Sequence, residues 1–317
     1  MIFRPIFALA LALLVGGAQA SSYSFEFDTS PNAEPITPIP APAPANPLIT
    51  TLGERLFSDP RLSRDNSRSC LTCHDVQLNG ATGKAHVTAL NGTPLRYQPL
   101  TVFNAALSFR LSWEGRYRTL EEQAMASLVN PSIMGSNVND VVNKLKFDRG
   151  IVSQFEDAFG HGPDSNSLVE AIATYERSLL TPGSRFDRWL AGDPAALSYQ
   201  ELSGYHLFKS LGCIACHQGV NVGGNLFERR GIFAPLTPSD SNTSEFPTLL
   251  RVPSLRNVAA RPPYFHDGSA PTLQDAVRKM SRAQLNSSLT DQQVDAIVAF
   301  LDTLTGNYRG RQVGDSP

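Results

Sequence analysis

The sequence Cys70-Leu71-Thr72-Cys73-His74 returns in the second half of the chain as Cys213-Ile214-Ala215-Cys216-His217, and these two segments contain all 4 cysteines of the 317 residues. A Cys-x-x-Cys pair followed directly by histidine is the attachment sequence of a c-type haem. The two thiols bond to the porphyrin, and the adjacent imidazole binds the iron. Two disulfides or a zinc site are the alternatives, but neither needs a histidine directly after each pair. The motifs therefore predict two covalently bound c-type haems.

Similar segments surround both motifs, which indicates an internal repeat. The sequence GERLF at 53–57 precedes the first motif, and GYHLF at 204–208 precedes the second. Further on, residues 171–179 and 296–304 carry apolar side chains at three- and four-residue intervals, as in an amphipathic helix. A short helix, a haem motif, loops and a closing helix describe a cytochrome c-like domain. We therefore predict a mostly α fold with two cytochrome c-like haem domains and long loops.

Both closing helices carry a start signal. Ser167 with Glu170, and Thr290 with Gln293, have the spacing of a capping box. In a capping box each side chain accepts a hydrogen bond from a backbone N–H at the helix start. We therefore expect the two helices to begin at Ser167 and Thr290.

Residues 1–20 have the layout of a secretory signal peptide. Arg4 is followed by an apolar run and then by the small residues of Ala18-Gln19-Ala20. An uncleaved N-terminal anchor is the alternative, although the run is too short to span a bilayer as a stable helix. We expect cleavage after Ala20 and export to a bacterial periplasm.

Residues 21–47 form a linker rich in proline and alanine. Alternating Pro and Ala favour an extended chain and cannot build a core of their own. We therefore expect the folded body to begin near Leu48, with an N-terminal haem domain at 48–195 and a C-terminal haem domain at 196–317.

The composition excludes several classes of protein. Hydrophobic residues make up 41%, which is enough for a packed core. The chain has 27 Lys and Arg against 29 Asp and Glu, a net charge of -2, so the basic excess of a nucleic-acid binder is absent. After the N-terminal segment, no apolar run approaches the roughly 20 residues of a membrane span.

Further motifs are FNA at 103–105, WEGR at 113–116, LEEQA at 120–124, VPSLRNV at 252–258 and PYFHDG at 263–268. With these motifs the chain resembles the bacterial di-haem cytochrome c peroxidases, which include the MauG-like enzymes. The resemblance implies that the C-terminal haem receives electrons from a small cytochrome c or cupredoxin, and that the N-terminal haem reacts with hydrogen peroxide. It is also compatible with a homodimer.

The iron ligands follow partly from the motifs and partly from the resemblance. His74 and His217 are the motif ligands. The resemblance places Met280 on the far side of the C-terminal iron, where MauG has a tyrosine, although methionine more often fills a core. A thioether ligand raises the haem potential, which suits the centre where electrons enter. His86 lies in the loop where many relatives carry a ligand of the N-terminal iron, and an ordinary loop histidine is the alternative.

The resemblance also indicates the residues of the peroxide pocket. Gln123 matches a retained glutamine, whereas Ile133 stands where the family has a glutamate and Ser127 where it has a proline. Because isoleucine cannot transfer a proton, peroxidase activity is weakened unless another carboxylate, such as Glu114 or Glu122, replaces it.

Two more features follow from the resemblance. Trp113 matches the family tryptophan between the haems, where an indole could relay electrons or simply fill the domain interface. A calcium ion between the domains would take an amide oxygen from Gln98 and carbonyl oxygens from Arg261 and Pro263, since calcium prefers oxygen ligands. Here Gln98 replaces the usual asparagine.

Three functions are compatible with these residues. A peroxidase that reduces hydrogen peroxide is the leading interpretation. A MauG-like oxidase that acts on a protein or small-molecule partner is the second. A di-haem electron carrier without peroxide chemistry is the third, because Ile133 replaces the family glutamate.

Overall fold

The computed structural model describes residues 34–84, 87–236 and 249–315. This part of the chain is mostly helical, as predicted. Its strands form two short antiparallel pairs, β1 (Phe227–Arg229) with β2 (Leu249–Arg251) and β3 (Asn307–Tyr308) with β4 (Arg311–Gln312). The α-helices are α1 (Pro47–Phe57), α2 (Leu120–Val129), α3 (Val138–Lys146), α4 (Arg149–Phe159), α5 (Ser165–Ser178), α6 (Arg185–Leu190), α7 (Tyr199–Ser210), α8 (Leu273–Leu285) and α9 (Asp291–Asp302).

The predicted internal repeat is present as two equivalent helix crossings. Helix α1 packs on α5 in the first half, and α7 packs on α9 in the second. A methyl group at Gly53 would overlap the carbonyl oxygen of Ala171, and one at Gly204 would overlap the carbonyl oxygen of Ala296. Both crossings therefore need a glycine, because any side chain would push the paired helices apart.

The two halves meet at a pair of equivalent asparagines. Asn104 and Asn257 both adopt the left-handed conformation, with φ of 59° and 60°, and each precedes a short 3₁₀ helix. Their side-chain amides both donate to the hydroxyl of Thr181, at 2.8 and 3.0 Å. Thr181 is buried, so this network joins the halves inside the protein.

The helix starts agree with one of the two capping predictions. Thr290 and Gln293 form the predicted capping box of α9. The box predicted at Ser167 is wrong, because α5 begins earlier, with Asp164 as its cap. The Asp164 carboxylate accepts from the backbone N–H of Asn166 at 2.8 Å and from the Ser167 hydroxyl at 2.7 Å. Ser167 therefore supports the cap from inside the first turn.

Each half has its own hydrophobic core, and a helix that precedes the expected domain boundary after residue 195 packs in the second core. Helix α6 belongs to the C-terminal core, where the buried Phe186 ring lies 4.8 Å from Tyr205 and 5.2 Å from Phe300. At the chain end, Val313 returns to the N-terminal core. The cores therefore divide between α5 and α6, and the last residues lie on the first half.

The end of the expected linker is packed on the C-terminal half. Ile36 and Ile39 are 1% and 4% exposed, and Ile36 belongs to the C-terminal core. The Arg256 guanidinium donates to the Thr37 carbonyl at 2.8 Å. Residues 36–39 therefore add to the C-terminal half ahead of the expected start of the folded body near Leu48, because their apolar side chains fill a site built by distant residues. Residues 1–33, including the predicted signal peptide, lie outside the described residues.

Among residues 34–84, 87–236 and 249–315, no helix has the length and hydropathy needed to cross a bilayer.

Candidate haem sites and the N-terminal cavity

Both Cys-x-x-Cys-His motifs adopt the same tight turn. The His74 N–H donates to the Cys70 carbonyl at 2.9 Å, and the His217 N–H donates to the Cys213 carbonyl at 3.0 Å. Each motif begins with a 3₁₀ helix. All four cysteines are free thiols, as haem attachment requires.

The geometry around His217 suits an iron ligand. The Nδ1 atom lies 3.3 Å from the Val222 carbonyl, so it carries the ring proton and leaves the lone pair on Nε2. Burial lowers the pKa of His217 to about 4, which keeps the ring neutral. A methyl group at Gly223 would overlap the Pro253 carbonyl and also touch His217. This loop therefore needs a glycine to pass beside the imidazole.

His74 lines a large cavity in the N-terminal half. The cavity has a volume of about 460 Å³, and Cys70, Cys73 and His74 all contribute to its wall. Burial lowers the pKa of His74 to about 4, although the backbone groups of Gly80 and Leu100 act in the opposite direction. A neutral imidazole beside two free thiols, all facing one cavity of ligand size, fits a covalently bound haem.

Another part of the cavity wall is formed by α2 and the segment after it. Gln123, Ser127 and Ile133 all line the cavity. The Gln123 amide donates to the Ser127 hydroxyl at 2.9 Å. The structure therefore brings together the residues that the sequence assigned to the peroxide pocket.

The methionines have different surroundings. Met280 lies in α8 and is half-buried. Met134 is 3% exposed in the N-terminal core, and Met125 packs against the same core. The packing explains Met125 and Met134 as core side chains. His86, the other expected iron ligand, lies outside the described residues.

Trp113 lies between the two halves. Its indole N–H donates to the Gln98 carbonyl at 2.8 Å, and its ring centroid lies 6.1 Å from that of His266, edge to face. Tyr97 packs against both rings and donates its hydroxyl to Glu114 at 3.2 Å. Trp113 thus joins the N-terminal cavity wall to the C-terminal half.

Comparisons with known proteins identify the family. A family model described as di-haem cytochrome c peroxidase matches residues 48–195, and the cytochrome c model matches residues 202–305. The chain is 37% identical to the cytochrome c551 peroxidase of Nitrosomonas europaea, over 97% of this chain and 93% of that protein. The chain belongs to the di-haem cytochrome c peroxidase family. It is therefore a haem-dependent oxidoreductase.

One further curated relative and one solved structure are also similar to this chain. The MauG protein of Methylorubrum extorquens is 32% identical, over 86% of this chain and 80% of that one. The crystal structure of a MauG-like protein associated with microbial copper homeostasis superposes with a TM-score of 0.72 at 23% identity, over 90% of this chain and 96% of that one. The second similarity concerns the fold.

In this di-haem peroxidase family member, the residues expected to bind calcium have other contacts. The Gln98 carbonyl accepts from the Trp113 indole, and the Gln98 N–H donates to the His266 carbonyl at 2.8 Å. The Arg261 guanidinium contacts the Pro99 carbonyl. Calcium binding by the side-chain amide of Gln98 and the carbonyls of Arg261 and Pro263 therefore stays a prediction.

One residue of the di-haem peroxidase cavity was missed in the sequence. Glu176 of α5 is 5% exposed and lines the same cavity as His74. The signal was present, because Leu168, Ile172 and Glu176 follow one another at four-residue intervals. That spacing places Glu176 on the buried face of the helix.

Proposed function

We propose that the protein is a periplasmic di-haem peroxidase that reduces hydrogen peroxide with electrons from a small cytochrome c or cupredoxin. The observation that carries this proposal is the cavity beside His74. It is large, it is lined by both thiols of the first motif, and it holds the polar pair Gln123 and Ser127. The cytochrome c551 peroxidase relative supports the same substrate and donor class.

Cys70, Cys73 and His74 would hold the N-terminal haem, and Cys213, Cys216, His217 and Met280 would hold the C-terminal one. The bound iron supplies a centre at which peroxide is reduced to water by two electrons. Met280 favours the reduced iron and suits the half where electrons enter. Ser127 is short and leaves room for a small ligand in the N-terminal cavity.

The remaining residues of the site would bind the peroxide or connect the two halves for electron transfer. Gln123 and Ser127 provide hydrogen-bonding groups for a bound peroxide. Trp113, in contact with His266, provides an aromatic connection between the halves. Glu114 orients the Tyr97 ring beside Trp113 by accepting a hydrogen bond from the Tyr97 hydroxyl. Ile133 cannot carry a proton, so the proton must come from another residue.

Export and assembly belong to the same proposal. Residues 1–20 would direct the chain to the periplasm and be cleaved as a signal peptide. The mature protein would meet its electron donor in that compartment. Assembly into a homodimer is included because the family resemblance is compatible with it. A calcium ion held by the side-chain amide of Gln98 and the carbonyls of Arg261 and Pro263 belongs to the same proposal.

The MauG-like oxidase is the second candidate function, supported by the 32% identity to MauG. Met280 separates the two, since the resemblance gives MauG a tyrosine at this position. If this protein reacts with peroxide but does not oxidise reduced cytochrome c, the result would support the oxidase function.

Steady-state oxidation of reduced cytochrome c by the purified holoprotein tests the proposal. We expect oxidation that depends on peroxide, and a mass equal to the cleaved chain plus two haems. The matched control is Cys70→Ser with Cys73→Ser, which should retain one haem and lose turnover. Absence of turnover in the wild type, or a mass with fewer than two haems, would contradict the proposal.

A further inference from the structure

Glu176 is a buried carboxyl group with no assigned role. It lies in the last turn of α5, is 5% exposed, and lines the N-terminal cavity. Its Oε2 atom is buried and has no hydrogen-bond partner in the described part of the chain. A buried carboxyl oxygen without a partner is costly for stability, so its presence at a cavity wall suggests a function.

The other candidate carboxylates are already engaged. Of the described residues that line the cavity, Glu114 and Glu176 carry carboxyl groups. Glu114 forms an ion pair with Arg116 and accepts from Tyr97. Glu122 is exposed and accepts from the Arg118 N–H at 2.8 Å. Glu114 and Glu122 therefore already have hydrogen-bond partners, whereas one oxygen of Glu176 has none in the described part of the chain.

The surroundings of Glu176 favour its neutral form. Burial raises the pKa of Glu176 to about 8, and the charge of Glu121 on α2 acts in the same direction. Arg177 opposes the shift, but its guanidinium is paired with Glu121 near the surface. At neutral pH the Glu176 carboxyl is therefore protonated, and a neutral carboxyl can donate a hydrogen bond or a proton.

We propose that Glu176 is the proton source of the N-terminal cavity and partly replaces the carboxylate that is missing at Ile133. This inference rests on the proposed peroxidase function. The peroxide O–O bond breaks as two electrons arrive from the donor protein. The departing oxygen takes the Glu176 proton through water in the cavity, and a second proton from solvent completes two water molecules. Solvent then returns a proton to the Glu176 carboxylate.

Infrared spectroscopy and turnover together test this role, using the holoprotein and hydrogen peroxide. At pH 7 the wild type should show the carbonyl band of a protonated carboxyl group, and Glu176→Gln should lack it. The exposed Glu170 lies on the same helix, so Glu170→Gln is the matched control and should keep the band. Turnover should fall about tenfold or more in Glu176→Gln, within the range of general acid catalysis. Glu176→Asp should keep the band and part of the activity.

A rescue experiment separates proton supply from a structural role. Adding Ile133→Glu to Glu176→Gln should restore turnover, because residue 133 lines the same cavity as residue 176 and the new carboxyl can supply the proton. A wild type without the protonated band, or a Glu176→Gln protein with unchanged turnover, would overturn the inference. A wild type that shows the band but never turns over peroxide would instead contradict the proposed function.

Discussion

Ser127 of α2 and Met280 of α8 occupy the same position of the internal repeat. The two helices begin at the equivalent caps Thr119 and Thr272, whose hydroxyls accept from Glu122 N–H and Asp275 N–H. Ser127 and Met280 follow these caps at the same distance along the chain. The half with the cavity therefore has a short hydroxyl where the other half has a long thioether. This difference agrees with the proposal that the N-terminal haem centre is open and that Met280 closes the C-terminal one.

Replacing Met280 with alanine should lower the potential of the C-terminal haem and open a coordination position. We expect a fall on the order of 0.1 V, within the about 0.8 V over which axial ligands set haem potentials. Potentiometric titration with optical spectra measures it. Met125→Ala, in the N-terminal core, is the control and should leave both potentials unchanged. Unchanged potentials and spectra in Met280→Ala would exclude Met280 as the ligand.

Replacing Ile133 with glutamate should increase peroxide turnover. A carboxylate positioned in the cavity can contribute about 10²–10⁴-fold to a proton-transfer step, whereas Glu176 acts from a different part of the cavity wall. Steady-state kinetics of Ile133→Glu checks this, with the uncharged Ile133→Gln as control. The expectation fails if the wild type already turns over peroxide as fast as relatives that keep the glutamate.

The two helix crossings should respond alike to a single methyl group. Gly53→Ala and Gly204→Ala should each lower the free energy of unfolding by about 1–3 kcal/mol or more, because the methyl overlaps a helix carbonyl in each half. Gly162→Ala, with open space around it, is the control. Urea unfolding of the holoprotein measures the difference. Equal stability of the three variants would show that the crossings are not close-packed.

The free energy of unfolding should depend on pH through Glu176. Because the folded state raises the pKa of Glu176 to about 8, this residue stabilises the fold most below the ordinary glutamate pKa of about 4.3. That contribution is lost as pH rises toward 8. Relative to Glu176→Gln, the wild type should lose about 1.4 kcal/mol per pH unit across this interval. Urea unfolding at several pH values checks the slope, which Glu170→Gln should share with the wild type. Parallel curves for wild type and Glu176→Gln would contradict the raised pKa.

Local patterns predicted the haem motifs and the helices around them. The Cys-x-x-Cys-His spacing, the GERLF and GYHLF segments and the Thr290 cap depend on residues close together in sequence. The packing of Ile36 on the C-terminal core, and of α6 with that same core, depends on partners far away in the chain. No local pattern contains that information. For Glu176 the four-residue spacing predicts a position on the buried face of the helix. The cavity beside it depends on tertiary packing and could not be predicted from the sequence.

The pairing of Arg261 with Pro99 was also beyond sequence reasoning. The resemblance gave Gln98, Arg261 and Pro263 a shared role through their oxygen atoms. The structure adds a contact of the Arg261 guanidinium with the Pro99 carbonyl, and a side-chain direction of this kind follows from tertiary packing.

Rapid mixing of the oxidised holoprotein with one equivalent of hydrogen peroxide tests most directly whether the N-terminal cavity is a peroxide site. The haem absorption spectrum should change within the mixing experiment and return to its starting form when reduced cytochrome c is added. The spectrum of the Cys70→Ser, Cys73→Ser variant should not change. A wild-type spectrum that peroxide leaves unchanged would contradict the peroxidase function. The di-haem electron carrier would then be the remaining interpretation.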